Sequence, residues 1–166
     1  MKPALLVIDV QKQFFREDPD TKKRLDSAVE YIIEAVKLFR KLQLPVVYIQ
    51  HMEEESGLVP GFEGFDLPDE FNVQAEDIRI TKTYGNSFHK TSLENDLKKL
   101  DVDTLIATGY CAEYCVLSTY RGAYNVDMTP ILLRGSLASG KAENITFVES
   151  INDIISLGAL YQLLDK

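Results

Sequence analysis

The sequence has few of the residues that usually indicate metal or cofactor chemistry. Among its 166 residues are no tryptophan, two cysteines and two histidines. No C-x-x-C or H-x-x-x-H pattern occurs, which argues against the common zinc-binding arrangements. A G-x-G-x-x-G motif after the first apolar run and a G-x-x-x-x-G-K-S/T motif are also missing, which argues against a nucleotide site. We therefore expect no metal and no cofactor.

Long apolar runs and basic stretches are lacking as well. No run approaches the roughly 18 apolar residues of a membrane span, and the opening MKPALLVIDV lacks the features of a signal peptide. The net charge is −8, without a lysine or arginine stripe, which disfavours nucleic acid as a partner. We expect a cytoplasmic protein with a small-molecule substrate and neither a membrane nor a nucleic-acid partner. In that compartment thiols stay reduced, so a disulfide between Cys111 and Cys115 is disfavoured.

Apolar periodicity predicts strands that alternate with helices along a single domain, residues 1–166. The predicted strands are 3–10, 44–50, 76–82, 103–109 and 125–134, and the predicted helices are 21–42, 91–100, 113–124, 142–156 and 158–166. Thr91 and Glu94 have the spacing of a capping box. Such alternation indicates a three-layer α/β/α sandwich with a mostly parallel central sheet and a Rossmann-like topology. The long aperiodic segment 51–76 is predicted to be a functional loop or disordered.

Three reactive side chains lie at or just beyond predicted strand ends. Asp9 is near the end of the first strand, Lys82 ends the third, and Cys115 follows the fourth at the start of a helix. Ligands of parallel sheets bind beyond the carboxyl ends of the strands, so these residues are expected to converge. A helix start and a nearby lysine favour a thiolate, and a carboxylate can accept and return a proton. The three residues together suit acyl transfer.

Each of these residues also has an ordinary structural explanation. A strand-end aspartate such as Asp9 can cap a loop, a lysine such as Lys82 is commonly solvated, and a cysteine is commonly a small buried hydrophobe. His51, at the end of the second strand, can contact either substrate or the following loop. Only the joint placement of the acid, the cation and the thiol favours the catalytic interpretation.

Three segments resemble the isochorismatase-like cysteine hydrolases, which include nicotinamidases, N-carbamoylsarcosine amidohydrolases, ureidoacrylate amidohydrolases and isochorismatases. The segments are LLVIDVQKQFF at 5–15, KTYGNSF at 82–88 and TGYCAEYCVLSTYRGAYN at 108–125. The resemblance implies that Asp9 is the general base, Lys82 the catalytic lysine and Cys115 the nucleophile. It also implies a cis Tyr110–Cys111 peptide, with the amides of Cys111 and Cys115 forming an oxyanion hole. A homo-oligomer, a dimer or larger, is expected by the same resemblance.

The sequence departs from this family at positions that bear on the substrate. Nicotinamidases carry an aspartate and two or three histidines around the second strand as a metal site, whereas QHMEEESG offers only His51. The usual threonine three positions after the glycine is Ala112, and the common acidic-alanine pair after the fifth strand is replaced by residues 134–136. The residues expected to bind substrate are Phe14, Phe15, His51, Tyr84, Phe88, Tyr110 and Tyr114.

The resulting expectation is a metal-independent amidohydrolase. Cys115 would attack the carbonyl of a small amide or ureido compound and form a thioester, with Asp9 shuttling the proton. Three alternatives stay open: an isochorismatase-type vinyl-ether hydrolase, a phosphoacceptor module of similar topology and a non-catalytic binding protein on the same scaffold. The phosphoacceptor module is disfavoured because the paired acids it needs after the first strand are missing.

Overall fold

The computed structural model describes residues 1–165 and contains one six-stranded, all-parallel sheet. The strands are β1 (Pro3–Ile8), β2 (Val46–His51), β3 (Ile78–Lys82), β4 (Thr104–Gly109), β5 (Thr129–Leu137) and β6 (Ile154–Ile155). The helices are α1 (Pro19–Lys41), α2 (Leu93–Lys99), α3 (Leu117–Tyr124), α4 (Ala142–Ser150) and α5 (Leu157–Leu164). The spatial order of the strands is β3-β2-β1-β4-β5-β6.

Two hydrophobic cores lie on opposite faces of the sheet. Successive side chains of a strand point to opposite faces, so Leu5 and Val7 of β1 pack in one core, while Leu6 and Ile8 pack in the other. Helices α1 and α5 cover the first face, and α2, α3 and α4 cover the second. The predicted three-layer α/β/α fold with a parallel sheet is confirmed.

Several predicted element boundaries were wrong for local reasons. Helix α1 begins two residues earlier than predicted, because Asp18 caps it by accepting from Thr21 N at 2.8 Å. The predicted capping box of α2 does not form. Thr91 Oγ1 donates instead to Ser87 O, and Glu94 accepts from Lys98 Nζ.

The predicted helix 142–156 is two elements rather than one. Asn152 donates its side-chain amide to Val148 O at 2.7 Å at the end of α4, and Ile154–Ile155 then pairs with β5 as a sixth strand. The edge of β5 offers unpaired backbone hydrogen-bonding groups, and the helical pattern of residues 142–156 carries no information about them. The last predicted helix is α5, and Lys166 lies outside the described residues.

The long segment after β2 is ordered and docked onto the sheet. Its apolar side chains Leu58, Phe65 and Phe71 are buried. The carbonyl oxygen of Phe65 accepts from the side-chain amides of Gln11 at 3.1 Å and Gln50 at 2.9 Å. These buried bonds attach the segment to the ends of β1 and β2, so it forms part of the framework around the sheet edge.

The strand order reverses between β1 and β4. The chain runs from β1 outward through β2 to β3, and then from β4 outward through β5 to β6. At such a switch point the loops leaving the two central strands diverge and open a crevice beyond their carboxyl ends. Within residues 1–165 no helix is long and apolar enough to cross a bilayer.

Candidate active site

A buried ion pair lies at the carboxyl edge of the sheet. Asp9 directly follows β1 with a left-handed backbone (φ 52°), and its Oδ2 accepts from Lys82 Nζ at 2.8 Å. Both side chains are almost fully buried, at 0% exposure for Lys82 and 2% for Asp9. Lys82 Nζ also contacts His51 Nδ1 at 3.2 Å, because His51 and Lys82 are partners in the register of β2 and β3. A buried lysine is tolerated here because it is paired and hydrogen-bonded.

Cys115 lies beside this pair. It is in a π-helical turn, Ala112–Val116, that connects the end of β4 to α3. Its Sγ, a carboxylate oxygen of Asp9 and a ring nitrogen of His51 all lie within 4.8 Å of one another. The second carboxylate oxygen of Asp9, Oδ1, is buried and has no hydrogen-bond partner among residues 1–165. This oxygen is therefore free to accept the thiol proton of Cys115.

Burial controls the protonation of the thiol. Burial, and after it the Asp9 carboxylate, raise the pKa of Cys115 to about 12, while Lys82 opposes both effects. The direction is opposite to the thiolate expected from a helix start alone. Burial also raises the pKa of Asp9, against the lowering effect of Lys82. Cys115 is consequently a protonated thiol at neutral pH and needs a base before it can attack.

His51 is held neutral with a defined tautomer. Burial is the main cause that lowers its pKa, and the charge of Lys82 adds to it. An ammonium group has only donors, so His51 Nδ1 must accept from Lys82, and the ring proton is on Nε2. Gln11 fixes the backbone of the same residue, because its side chain accepts from His51 N at 2.7 Å and donates to His51 O at 3.0 Å.

The turn between β4 and Cys115 presents a backbone amide. Gly109 has φ +117°, and a Cβ there would come within 2.8 Å of Ile8 N and closer still to Ile8 O. The Tyr110–Cys111 peptide is cis, as the resemblance implied. Ala112 N donates to Ala138 O at 2.8 Å and ties the turn to the residue after β5. Within residues 1–165 the Cys111 amide has no acceptor, so it is available to a ligand.

These elements border a cavity of about 490 Å³. Its wall is formed by Asp9, Phe14, Glu17, His51, Tyr110, Cys111, Glu113, Tyr114, Cys115, Gly140, Lys141 and Asn144. Phe14 and Tyr110 pack ring against ring, with centroids 4.8 Å apart. The cavity therefore contains a thiol, a buried carboxylate with a free oxygen and an aromatic surface.

Comparison with known proteins identifies the family. The isochorismatase domain family matches residues 3–149. The chain belongs to the isochorismatase family. It is 33% identical over 141 residues to the uncharacterized isochorismatase family protein YrdC of Bacillus subtilis, covering 83% of this chain and 74% of that protein. The predicted family is thereby confirmed, and the family is hydrolytic.

Solved structures have the same fold. An isochorismatase-like hydrolase from Alkaliphilus metalliredigens superposes with a TM-score of 0.90 at 23% identity, covering 98% of this chain and 99% of that one. N-carbamoylsarcosine amidase from Thermoplasma acidophilum superposes with a TM-score of 0.80, also at 23% identity, covering 94% and 95%. At these identities the likeness concerns the fold.

Four of the seven residues expected to bind substrate line the cavity of this family member: Phe14, His51, Tyr110 and Tyr114. The other three, Phe15, Tyr84 and Phe88, lie outside its wall. Tyr84 is 44% exposed and packs edge-on against His89, and Phe88 packs against the core on the α3 face.

Tyr84 and Phe88 lie outside the cavity wall because of the path of the chain after Lys82. Ser87 N donates to Thr119 Oγ1 of α3 at 3.0 Å, which holds the segment after β3 against that helix and away from the cavity. Phe15 instead packs at the edge of the core beneath α1. Neither contact, that of Ser87 with Thr119 nor that of Phe15 with the core, can be predicted from spacing along the sequence.

Five lining residues were not predicted from the sequence: Glu17, Glu113, Gly140, Lys141 and Asn144. Glu113 is the most connected of them. It accepts from Cys111 Sγ at 3.0 Å, from Ser139 Oγ at 3.0 Å and from Asn144 Nδ2 at 2.6 Å. Its position between the two cysteines was the one available signal, whereas Ser139 and Asn144 reach it only through the tertiary fold.

The donor set at the cavity base can be tested for a metal ion. Asp9, His51 and Cys115 offer three ligand atoms within 4.8 Å. Lys82 Nζ, however, already contacts both Asp9 Oδ2 and His51 Nδ1. A divalent ion here would lie against a buried ammonium group, and this like-charge contact opposes its binding. The site residues therefore fit a lysine-neutralised carboxylate better than a metal centre.

Proposed function

We propose that this protein is a cysteine-dependent hydrolase that cleaves a C–N bond, amide or ureido, of a small molecule through a thioester intermediate and without a metal. One observation carries the proposal. Asp9, whose buried Oδ1 has no hydrogen-bond partner among residues 1–165, lies beside a cysteine thiol whose raised pKa makes a base necessary. A nucleophile, a base and an oriented cation are the parts that acyl transfer requires.

The first step forms the thioester. The Cys115 thiol transfers its proton to Asp9 Oδ1 as Sγ attacks the substrate carbonyl carbon. The carbonyl oxygen becomes negative and accepts hydrogen bonds from the amides of Cys111 and Cys115. Collapse of this intermediate breaks the C–N bond, and Asp9 returns the proton to the leaving nitrogen, so ammonia or an amine departs.

The second step hydrolyses the thioester. Asp9, again ionised, accepts a proton from water as the water oxygen attacks the thioester carbonyl. The C–S bond then breaks, the acid is released, and Cys115 recovers its proton from Asp9. One water is consumed for each C–N bond cleaved.

Lys82 and His51 support the base. The Lys82 charge, 2.8 Å from Asp9 Oδ2, lowers the pKa of Asp9 and so keeps a fraction of the carboxylate ionised despite its burial. Neutral His51 accepts from Lys82 and holds the ammonium group in place. Lys82 therefore sets the balance between the basic and the acidic form of Asp9.

Vinyl-ether hydrolysis of the isochorismatase type is the second candidate. The raised pKa of Asp9 favours it, because a protonated Asp9 can donate to an ether oxygen or a vinyl carbon. That chemistry needs the acid and not the thiol. Activity on isochorismate that survives Cys115→Ala but not Asp9→Asn would select it over C–N cleavage.

The test is ammonia release from a panel of small amides and ureido compounds, with and without a chelator. We expect release that the chelator leaves unchanged and that disappears in Cys115→Ala. Thermal melting of the variant checks that it is folded. Asp69→Asn, which changes an exposed acid outside the cavity wall, is the matched control and should keep full activity. Undiminished release by a folded Cys115→Ala protein would reject the thioester mechanism.

A further inference from the structure

The charged groups of the cavity indicate a substrate class. We propose that the cavity binds the non-reacting part of the substrate as a cation, such as an alkylammonium group, and discriminates against carboxylates. As a statement about substrates this rests on the proposed C–N hydrolysis. The charge preference of the cavity itself can be tested through the reactivity of the Cys115 thiol, without any turnover.

The charges in the cavity wall do not cancel. Asp9 is neutralised by Lys82, which leaves two acids, Glu17 and Glu113, and one cation, Lys141. Lys141 is exposed and makes no ion pair among the described residues. Counted with formal charges at pH 7, the remaining wall charge is −1, and the whole chain carries −8. Both the cavity wall and the chain as a whole therefore repel an anionic substrate and attract a cationic one.

Glu113 is held in the ionised form, and Glu17 accepts a hydrogen bond from a phenol that keeps its proton. Tyr110 Oη donates to Glu17 Oε2 at 2.8 Å, and burial together with Glu17 raises the pKa of Tyr110, so the phenol keeps its proton and acts as the donor. Burial opposes ionisation of Glu113. The hydrogen bonds from Cys111, Ser139 and Asn144 outweigh it and hold the pKa of Glu113 below its ordinary value.

The two acids differ in what they offer a ligand. Glu113 already accepts hydrogen bonds from three protein donors and contributes mainly its charge. Glu17 is exposed and accepts a side-chain hydrogen bond only from Tyr110 within the described residues, so its second oxygen is free for a ligand donor. Glu17 is therefore the specificity-determining residue of this proposal.

The aromatic wall suits the same ligand. The ring centroids of Phe14 and Tyr110 are 4.8 Å apart, and both residues line the cavity together with Tyr114, which is 68% exposed. The faces of aromatic rings attract ammonium groups and add nothing for a carboxylate. Carboxylates beside aromatic faces are a common environment for alkylammonium recognition.

An independent observation marks the cavity as a ligand site. Asp9 Oδ1 belongs to a buried side chain that lines the same cavity, and it has no partner among residues 1–165. The acids are therefore the polar wall of a cavity that already contains an unsatisfied reactive group. They are not merely an acidic surface patch.

The first experiment compares three amides of matched length: δ-aminovaleramide (cation), hexanamide (neutral) and adipic acid monoamide (anion). We expect kcat/KM to be at least about tenfold higher for the cation than for the anion, a ratio equivalent to about 1.4 kcal/mol. Glu17→Gln should reduce that ratio several-fold. Glu30→Gln changes the net charge equally on the exposed side of α1, outside the cavity wall, and should leave it unchanged.

The second experiment needs no turnover. Cys115 is treated with the trimethylammonium-ethyl and sulfonatoethyl methanethiosulfonates, and the modified residue is located by fragmentation mass spectrometry. In each case the thiolate displaces methanesulfinate and forms a mixed disulfide. After normalisation to a free thiol, the cationic reagent should react at least about tenfold faster. Glu17→Gln should bring the ratio toward one, and Glu30→Gln should not.

The two experiments separate the possible failures. Faster modification by the cationic reagent without hydrolysis of any amide supports a cation-binding cavity and counts against the proposed function. Equal modification rates, or a preference for the anion, overturn the inference even if amides are hydrolysed. A ratio that Glu17→Gln and Glu30→Gln change equally also overturns it, because the preference would then come from net charge alone. A thiol that neither reagent reaches overturns it too, since the cavity would not admit the cation.

Discussion

Replacing Asp9 by asparagine should change turnover and thiol reactivity in opposite directions. The substitution keeps the shape of the side chain, and the amide oxygen can still accept from Lys82, whose Nζ lies 2.8 Å from Asp9 Oδ2 in the native site. It removes the negative charge and the proton acceptor at Oδ1. Asp9→Asn therefore separates the role of the base from the packing of the site.

The loss of turnover follows from the thiol pKa. With the pKa of Cys115 at about 12, only about 3 in 100,000 thiols are ionised at about pH 7.5. A positioned general base typically contributes about 10²- to 10⁴-fold to rate. We therefore expect kcat for ammonia release to fall by about 10²- to 10⁴-fold in Asp9→Asn.

The thiol itself should become more acidic in the same variant. After burial, the charge of Asp9 is the largest cause that raises the pKa of Cys115, and Lys82 acts in the other direction. Without Asp9, the pKa falls and the rate of alkylation by iodoacetamide at a fixed neutral pH rises. Thiolate absorbance followed against pH gives the pKa, and ammonia release gives turnover.

The control for both measurements is Asp20→Asn, the same chemical change at an exposed position of α1. It should alter neither turnover nor alkylation. A folded Asp9→Asn protein that keeps turnover within about threefold of the native value would refute Asp9 as the base. A rise in the pKa of Cys115 would refute the electrostatic account of the site.

Three further predictions concern groups around the base. Lys82→Met should shift the acid limb of kcat/KM to higher pH, because Lys82 lowers the pKa of Asp9; an unshifted or lower limb would contradict this. Gly109→Ala should lower the free energy of unfolding by at least about 2 kcal/mol in urea titrations, because a Cβ would clash with Ile8 at φ +117°. Gln11→Leu should expose segment 52–77 to limited proteolysis, because the bonds to His51 and Phe65 are lost; native resistance would show that Gln50 suffices.

Much of the frame was predictable because it depends on local patterns. The continuous apolar run of β1 and the three-to-four spacing of apolar residues in α1 can be read directly from the sequence. The sixth strand was not predictable in this way, because Ile154 and Ile155 pair with β5 only when that edge is present. Likewise, Thr91 and Glu94 match a capping box, but each side chain makes another bond in the folded protein.

The candidate site was likewise predictable in part: the positions of its residues were, and their protonation was not. The convergence of Asp9, Lys82 and Cys115 followed from their places relative to parallel strands. Their protonation did not follow, because a helix start indicates a thiolate, whereas burial and Asp9 raise the pKa of Cys115. The oligomeric state, the cytoplasmic location and the absence of a nucleic-acid partner stay predictions.

By itself, the sequence determined the layered parallel fold, the family and the three reactive residues, because these depend on periodicity, on strand ends and on short motifs. The tertiary structure decided which other residues join them. Glu17, Glu113 and Lys141 come from separate segments and meet at one cavity, while Tyr84 and Phe88, close to Lys82 in sequence, are carried away against α3. The charge and the burial of each group in the cavity depend on neighbours that are distant in the sequence, and these neighbours come together only when the chain folds.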